Sequence, residues 1–254
     1  MRYLLLFFCA GMVYAQSQPD RDPEIVTDRP DVTEASTVVP KGSLQFENGL
    51  TWTGGHGTSS FDVAETLVRY GISSRTEIRF VIPNYIGGLA GRNPASGFDD
   101  VALGMKQQLG PLPGGVDLSV IVALSMPTGA NRISTHGFDP FVKFPWSKEL
   151  GRGWSVGGMQ SFFWYTQDGR RNGDWQPTFY VEREITKRSD AFVEFAGDYT
   201  QRGAPREIIH FGAAYRVRPR QQVDFHFGFG VSNAAPSQFF AMGYSFRLDP
   251  RRDQ

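Results

Sequence analysis

The sequence predicts an all-β protein: a single closed antiparallel transmembrane β-barrel of about 12 strands, with a short N-terminal periplasmic or plug arm. Three observations carry this. From Ser43 onward, large apolar side chains recur at every second position. The pattern is strictest at the end, where Phe240, Met242, Tyr244, Phe246 and Leu248 alternate with Ala241, Gly243, Ser245 and Arg247. A period of two places the two sets on opposite faces of a strand. Second, the chain opens on an export signal. Third, the connections between dyad segments alternate between short turns and longer, Gly-rich loops. In a soluble sheet the apolar face would be the core; in a barrel it faces lipid and the polar face lines the lumen.

Residues 1–15 read as a signal peptide, with Met1-Arg2 as the basic start, an apolar run from Tyr3 to Val13, and cleavage after Ala15. The run is too short for a transmembrane helix, which needs about 20 residues. Cys9, the one cysteine of the chain, falls inside it. The exported chain therefore has no disulfide, and its stability must come from size or from the membrane. Twenty-six Lys and Arg balance 26 Asp and Glu, and no basic stretch stands out, which argues against a nucleic-acid partner. No later stretch reaches about 18 continuous apolar residues, so any crossing of a membrane is made by strands.

Residues 16–42 lack a period, are rich in Asp, Glu, Pro, Thr and Ser, and read as the arm or plug. Residues 43–248 supply the strands. The first sets Leu44, Phe46, Leu50 and Trp52 against Gln45, Glu47, Gly49 and Thr51. The second sets Val68 and Tyr70 against Glu65, Leu67 and Arg69, and the third Ile78 and Phe80 against Glu77 and Arg79. The fourth opposes Leu103 and Met105 to Asp100 and Lys106, the fifth Val120, Val122 and Leu124 to Asp117 and Ser119. The sixth opposes Val142, Phe144 and Trp146 to Phe141 and Lys143. The seventh, Trp154 to Tyr165, is aromatic on both faces and is assigned no facing. The eighth opposes Trp175 and Phe179 to Thr178 and Glu182, the ninth Val193 and Phe195 to Glu194 and Asp198. The tenth opposes Ile209 and Phe211 to His210 and Arg216, the eleventh Phe225, Phe227 and Phe229 to Asp224, His226 and Gly228. The twelfth is the final dyad. Residues 249–254 are charged, contain Pro250, and are expected to hang free in the periplasm.

Short turns are expected at residues 71–75, 110–115, 150–153, 186–190 and 217–220. Longer loops are expected at 84–97, 128–137 and 166–174. Short turns at one end and long loops at the other are how outer-membrane barrels are built. Trp52, Trp146, Trp154, Trp164 and Trp175 fall near strand ends, where an indole ring meets the membrane interface. An even strand count returns both ends of the barrel to the side of the short turns.

The inward set by periodicity supplies the candidate pore-lining residues: Glu47, Glu65, Arg69, Glu77, Arg79, Asp100, Lys106, Glu182, Glu194, Asp198, His210, Arg216, Asp224, His226 and Arg247. Both signs are mixed, as in a wall that selects solutes by field and width or in a lumen filled by paired charges. A turn over Ile72 to Ser74 would put Arg69 directly opposite Glu77. His210 and His226 are expected to meet across their hairpin, yet two histidines without a third ligand make no metal site. Gly55-His-Gly-Thr-Ser-Ser60 offers a serine and a histidine, but in a loop with no third group to orient the base. No catalytic residue, metal or cofactor is expected. The expected partners are outer-membrane lipid, small solutes and the barrel assembly machinery, which reads terminal strands such as Phe240 to Phe246.

Several segments resemble a known family. Thr27-Asp-Arg-Pro-Asp-Val-Thr-Glu34, Val39 to Gly49, Leu67-Val-Arg-Tyr-Gly-Ile72, Phe98 to Lys106, Ser125-Met-Pro-Thr-Gly129 and Val223 to Gly230 are similar, in order and spacing, to the bacterial outer-membrane meta-pathway phenol degradation (MetA) family. The likeness also touches the group of the Fap amyloid-export pore, from which this chain departs by lacking a long helical N-terminal region. What the resemblance implies is a porin-like barrel that transports small organic compounds, aromatic ones included. The alternative is a non-conducting structural or export barrel plugged by its arm.

Overall fold

The computed structural model describes residues 24–91 and 94–250. The expected signal peptide and residues 251–254 of the expected tail lie outside the described residues. Within them the chain forms fourteen strands and no helix. In order these are β1 (Leu44–Gly55), β2 (Thr58–Gly71), β3 (Thr76–Val81), β4 (Tyr85–Ala90), β5 (Ser96–Phe98), β6 (Val101–Gln108) and β7 (Val116–Met126). There follow β8 (Asp139–Gly151), β9 (Trp154–Gln167), β10 (Arg170–Thr186), β11 (Ser189–Thr200), β12 (Arg206–Arg218), β13 (Gln221–Gly230) and β14 (Gln238–Leu248).

Twelve of them close into one antiparallel barrel. Each barrel strand pairs with its neighbours in chain order, and β1 pairs with both β2 and β14, so no edge is left open. The seam is apolar on its outer face, where the rings of Phe46 and Phe246 stack at 5.0 Å. The two further strands, β4 and β5, form a hairpin inside the segment expected to be a plain loop. β2 pairs with β3 from Leu67 to Gly71 and with β4 from Ser59 to Val63. The change of partner sits at a bulge. The register with β1 shifts between Glu47 and Gly49, and Ala64 and Glu65 have φ of 76° and 23°. Because of the extra residue, odd-numbered Arg69 points inward below the bulge, whereas Phe61 and Val63 point outward above it.

The molecule is apolar outside and charged inside. Its largest fully buried side chains include Arg69, Lys106, His210, Gln45, Glu47, Glu77 and Glu194, whereas Phe211, Phe225, Phe229 and Phe240 are 41–45% exposed. A soluble domain has the opposite arrangement. The five tryptophans lie on the outer wall, Trp146 and Trp154 toward the rim of the short turns and Trp52, Trp164 and Trp175 toward the other rim. On β9, Ser155, Met159 and Ser161 face in and Trp154, Phe162 and Trp164 face out. This supplies the facing that the aromatic run concealed.

Three local expectations are corrected. The loop expected at 166–174 is a two-residue turn. β9 and β10 continue to Gln167 and Arg170 around Asp168-Gly169, whose φ values of 49° and 69° are those of a type I′ turn. The turn between β2 and β3 is shifted by one residue. Ile72 N–H donates to the Thr76 carbonyl at 3.0 Å, and the Ser73 hydroxyl braces the turn through Thr76 Oγ1 and Arg75 N–H. Arg69 therefore stands opposite Arg79, with Glu77 on the diagonal. Finally, Asp249 does not hang free. It accepts Ser43 Oγ at 2.8 Å and Arg247 Nε at 2.7 Å, and Arg220 lies at 2.8 Å.

Candidate functional site

The barrel lumen is occupied by the chain's own arm. Residues 24–40 enter at the rim of the short turns, cross the interior, and return to the same rim at Lys41, which bridges to Gly71. At the entry, Ile25 N–H donates to the Pro219 carbonyl at 2.8 Å and the Glu24 carboxylate lies 3.1 Å from Arg216 Nε. Arg247 Nη1 donates to the Glu24 carbonyl at 3.2 Å. Without periodicity of its own, this segment satisfies its polar groups on the inward residues of the wall.

Asp28 is the hub. Its carboxylate meets Arg79 Nη1 at 2.5 Å, Lys106 Nζ at 2.9 Å and Arg69 Nη1 at 3.3 Å, and its N–H donates to Glu47 Oε2 at 2.7 Å. Arg69 is in turn held bidentately by Glu77, at 2.9 and 3.0 Å, and by Glu47 at 2.9 Å. Burial alone would raise the Asp28 carboxyl, but Arg69, Lys106 and Arg79 outweigh it and hold it far below the usual carboxylate range. The same balance acts at Glu34. Burial pushes up, while Arg79 at 2.6 Å and Lys143 at 2.5 Å pull the carboxyl below its ordinary value. Asp31 has no such partner. Burial, then the charges of Glu194 and Glu182, raise its carboxyl well above the ordinary aspartate range.

The tip of the arm is gripped by Glu194 on β11. Its Oε1 accepts Thr33 N–H at 2.9 Å and Thr33 Oγ1 at 2.5 Å, and its Oε2 accepts Val32 N–H at 2.7 Å and lies 2.5 Å from His210 Nε2. His226 follows, its Nδ1 at 3.4 Å from that of His210, so the two histidines do meet, diagonally across β12 and β13. Among the described residues no group of three or more His, Cys, Asp or Glu is placed to hold a metal ion. Arg29 reaches the bulge residue Glu65 at 2.9 Å and Asp224 at 3.6 Å.

All fifteen expected pore-lining residues thus lie on the inner side of the wall, but the structure sorts them. Glu47, Arg69, Glu77, Arg79 and Lys106 gather around Asp28; Glu194, His210 and His226 form the second group; Glu65 and Asp224 share Arg29. Arg216 and Arg247 secure the arm's entry at the rim. Glu182, with Asp31, Tyr180 and Asp190, lines a cavity of about 370 Å³ beside the arm. Asp100 pins the loop after β7 by accepting N–H from Gly129 and Thr135, and Asp198 bonds Arg206 at the far rim. His56 sits in a turn with Nε2 at 3.0 Å from the Ala235 carbonyl. The sequence reading missed which arm residues bind. The sole signal was a run with alternating charge, Asp28-Arg29 and Asp31 to Glu34, inside a segment without a period. It also passed over Ile121, Phe192 and Phe239, apolar residues that face inward and are almost fully buried.

A family described as "Putative MetA-pathway of phenol degradation" matches residues 27–248. No curated protein matches the chain. Among solved structures, the COG4313 outer membrane channel from Pseudomonas putida F1 is similar at TM-score 0.66 and 14% identity, covering 87% of this chain and 99% of that one. The NanC porin is similar at TM-score 0.56 and 12% identity, over 81% of this chain and 100% of its own. The KdgM porin, solved in complex with disordered oligogalacturonate, is similar at 0.55 and 7% identity, over 80% and 98%. At these identities the likeness is one of fold: a closed barrel of the kind that outer-membrane channels use.

Proposed function

The chain belongs to the family of the MetA pathway of phenol degradation, and from that premise we propose that it is a passive outer-membrane channel whose arm closes the lumen and vacates it. The rim of short turns faces the periplasm, and the final strand is the segment read by the barrel assembly machinery. The solutes are small and organic, aromatic compounds among them. The observation that carries this reading is the nature of the plug. It is a separate segment, held by side-chain ion pairs and hydrogen bonds rather than by membership of the wall, and so it can leave while the barrel stays closed.

Aromatic solutes are favoured by rings that line the interior. Phe141 and Phe163 pack at 5.2 Å beneath the Lys143 ammonium, 5.4 and 5.7 Å from their centroids. Phe192, His210, His226 and Phe239 form a second panel with centroid spacings of 5.4–5.7 Å. The half-buried faces of Phe141 and Phe163 bind flat rings by stacking, whereas the second panel is buried.

Planar-bilayer conductance of the refolded protein, with and without residues 16–40, tests the proposal. The full chain should conduct in brief or small steps and the truncated chain in large, sustained ones. Silence in both proteins overturns the channel reading. Conductance from the truncated chain alone would favour a plugged structural or export barrel, a reading supported by how completely the network around Asp28 is paired. Liposome swelling with benzoate-sized aromatics against a disaccharide then tests the solute class.

A further inference from the structure

Two parts of the lumen wall differ in charge, and the arm answers both. Arg69, Arg79, Lys106 and Lys143 stand on β2, β3, β6 and β8, whereas β10, β11 and β13 present Glu182, Glu194 and Asp224. Asp28 and Glu34 pair with the first group, and Arg29 with Asp224. The two arm carboxylates nevertheless have different surroundings. Asp28 is enclosed by donors, which include Arg79, Lys106 and the Ala35 N–H at 2.9 Å. Glu34 sits where a charged surface meets an apolar one. Its Oε2 accepts Arg79 Nη2 at 2.6 Å and its Oε1 accepts Lys143 Nζ at 2.5 Å, so each oxygen has its own cation. Beside it lies a cavity of about 50 Å³, walled by Val81, Ala102, Ile121, Ala123 and Phe141. Among the described residues of the arm, Glu34 alone borders it.

A tie between arm and wall needs a counter-charge but no apolar hollow beside it. A carboxylate joined to a ring needs both. The wall supplies the rest of such a site, because the Lys143 ammonium stands over the half-buried rings of Phe141 and Phe163. Arg79 is set in place without help from the arm, since its Nη1 also donates to Glu77 Oε1 on the same strand at 2.9 Å. With the arm withdrawn, Arg69, Arg79, Lys106 and Lys143 keep only Glu47 and Glu77 of their carboxylate partners, and this side of the lumen carries an excess of positive charge. Taking the lumen as the solute passage argued above, we propose that Arg79, Lys143, Phe141 and Phe163 form a binding site for aromatic monocarboxylates. Glu34 fills its charged end while the arm is docked. Neutral aromatics lack the head group that competes with Glu34, and aromatic amines bring the wrong charge to Arg79 and Lys143.

Titration calorimetry on the refolded full chain reads this binding and requires no conductance. Glu34→Ala vacates the site and leaves the arm held through Asp28 and Thr33. Benzoate should bind this variant about tenfold more tightly than benzyl alcohol, the worth of a charge-assisted contact, and benzylamine should not bind. Wild type, in which Glu34 competes, should take benzoate about tenfold more weakly than the variant. Adding Lys143→Gln to Glu34→Ala should abolish the preference for benzoate over benzyl alcohol. Barrel closure of each variant is verified by its heat-modifiable gel shift. If Glu34→Ala does not close, the nearly isosteric Glu34→Gln takes its place, with the same order of ligands expected. A closed Glu34 variant that binds benzoate no better than benzyl alcohol overturns the proposal. A preference for benzoate that survives Lys143→Gln overturns it as well. Silence in bilayers alongside selective benzoate binding would refute conduction and leave the carboxylate site standing, so the two failures are told apart.

Discussion

Removing the Asp28 carboxylate would leave Arg69, Arg79 and Lys106 facing one another in the lumen with too few counter-charges. Breaking a buried pair from one side costs about 3–5 kcal/mol, enough to release a segment held by side-chain contacts. Asp28→Ala should therefore open the channel without unfolding the wall, read as conductance approaching that of the armless protein at an unchanged gel shift. Asp31 works in the other direction. Its carboxyl is raised in the docked arm, so its contribution to docking is full below the ordinary aspartate value of 3.8 and is lost as pH rises through the shifted value. Asp28, whose carboxyl is lowered, contributes fully above 3.8 and loses its contribution as pH falls. Asp31→Asn should accordingly tighten docking at neutral pH and reduce open probability there, with the difference from wild type vanishing in acid. A variant that opens more often at pH 7 would contradict this account. None of these roles was legible in the residue pattern. Asp28 meets Lys106 across a separation of 78 residues, and no local period encodes such a pairing.

At the scale of the strand, the dyad did most of the predictive work, because burial in lipid and burial in the lumen impose opposite chemistry on alternate residues. It failed where a strand changes phase or a turn closes more tightly than composition suggests. The bulge at Ala64-Glu65 reverses the facing of β2 with no glycine to mark it, whereas Asp168-Gly169 was a readable hairpin signal that glycine-rich surroundings concealed. Facing can be tested on β13. Phe227 packs on the outer wall against Phe211, Phe225, Phe229 and Phe240. Phe227→Arg should cost about 2–4 kcal/mol if it lies near the bilayer midplane and should reduce the heat-modifiable fraction. Gly228→Arg, which sequence alone would allow if the lumen had room, is now expected to impair assembly too. A Cβ there would stand 2.5 Å from the His210 Cβ and from the Phe239 ring. If Gly228→Arg assembles at wild-type yield, the inner aromatic panel is packed less tightly than described.

The whole molecule depends on one seam, between β1 and β14. Phe246→Asp removes the ring that stacks on Phe46 and places a carboxylate on the outer face, so outer-membrane abundance should fall sharply. Deleting residues 251–254 should be tolerated. Asp249→Ala, by contrast, should lower the unfolding temperature modestly, since it deprives Arg247, Arg220 and Ser43 of a shared acceptor. Equal abundance of Phe246→Asp and wild type would mean that closure does not rest on this contact.

The arm's path has a consequence of its own. Both ends of its described part sit at the same rim, Glu24 beside the 217–220 turn and Lys41 on Gly71, so residues 24–41 form an inserted bight rather than a thread drawn through a ring. Nothing has to be passed end-first through the closed cylinder, and no strand has to part for the segment to slip in or out. Assembly can finish the cylinder first and tuck the bight in afterwards. Cargo joined directly to Glu24 would stay on the side from which the bight entered, so a bulky tag at that point should be compatible with every state of the pore.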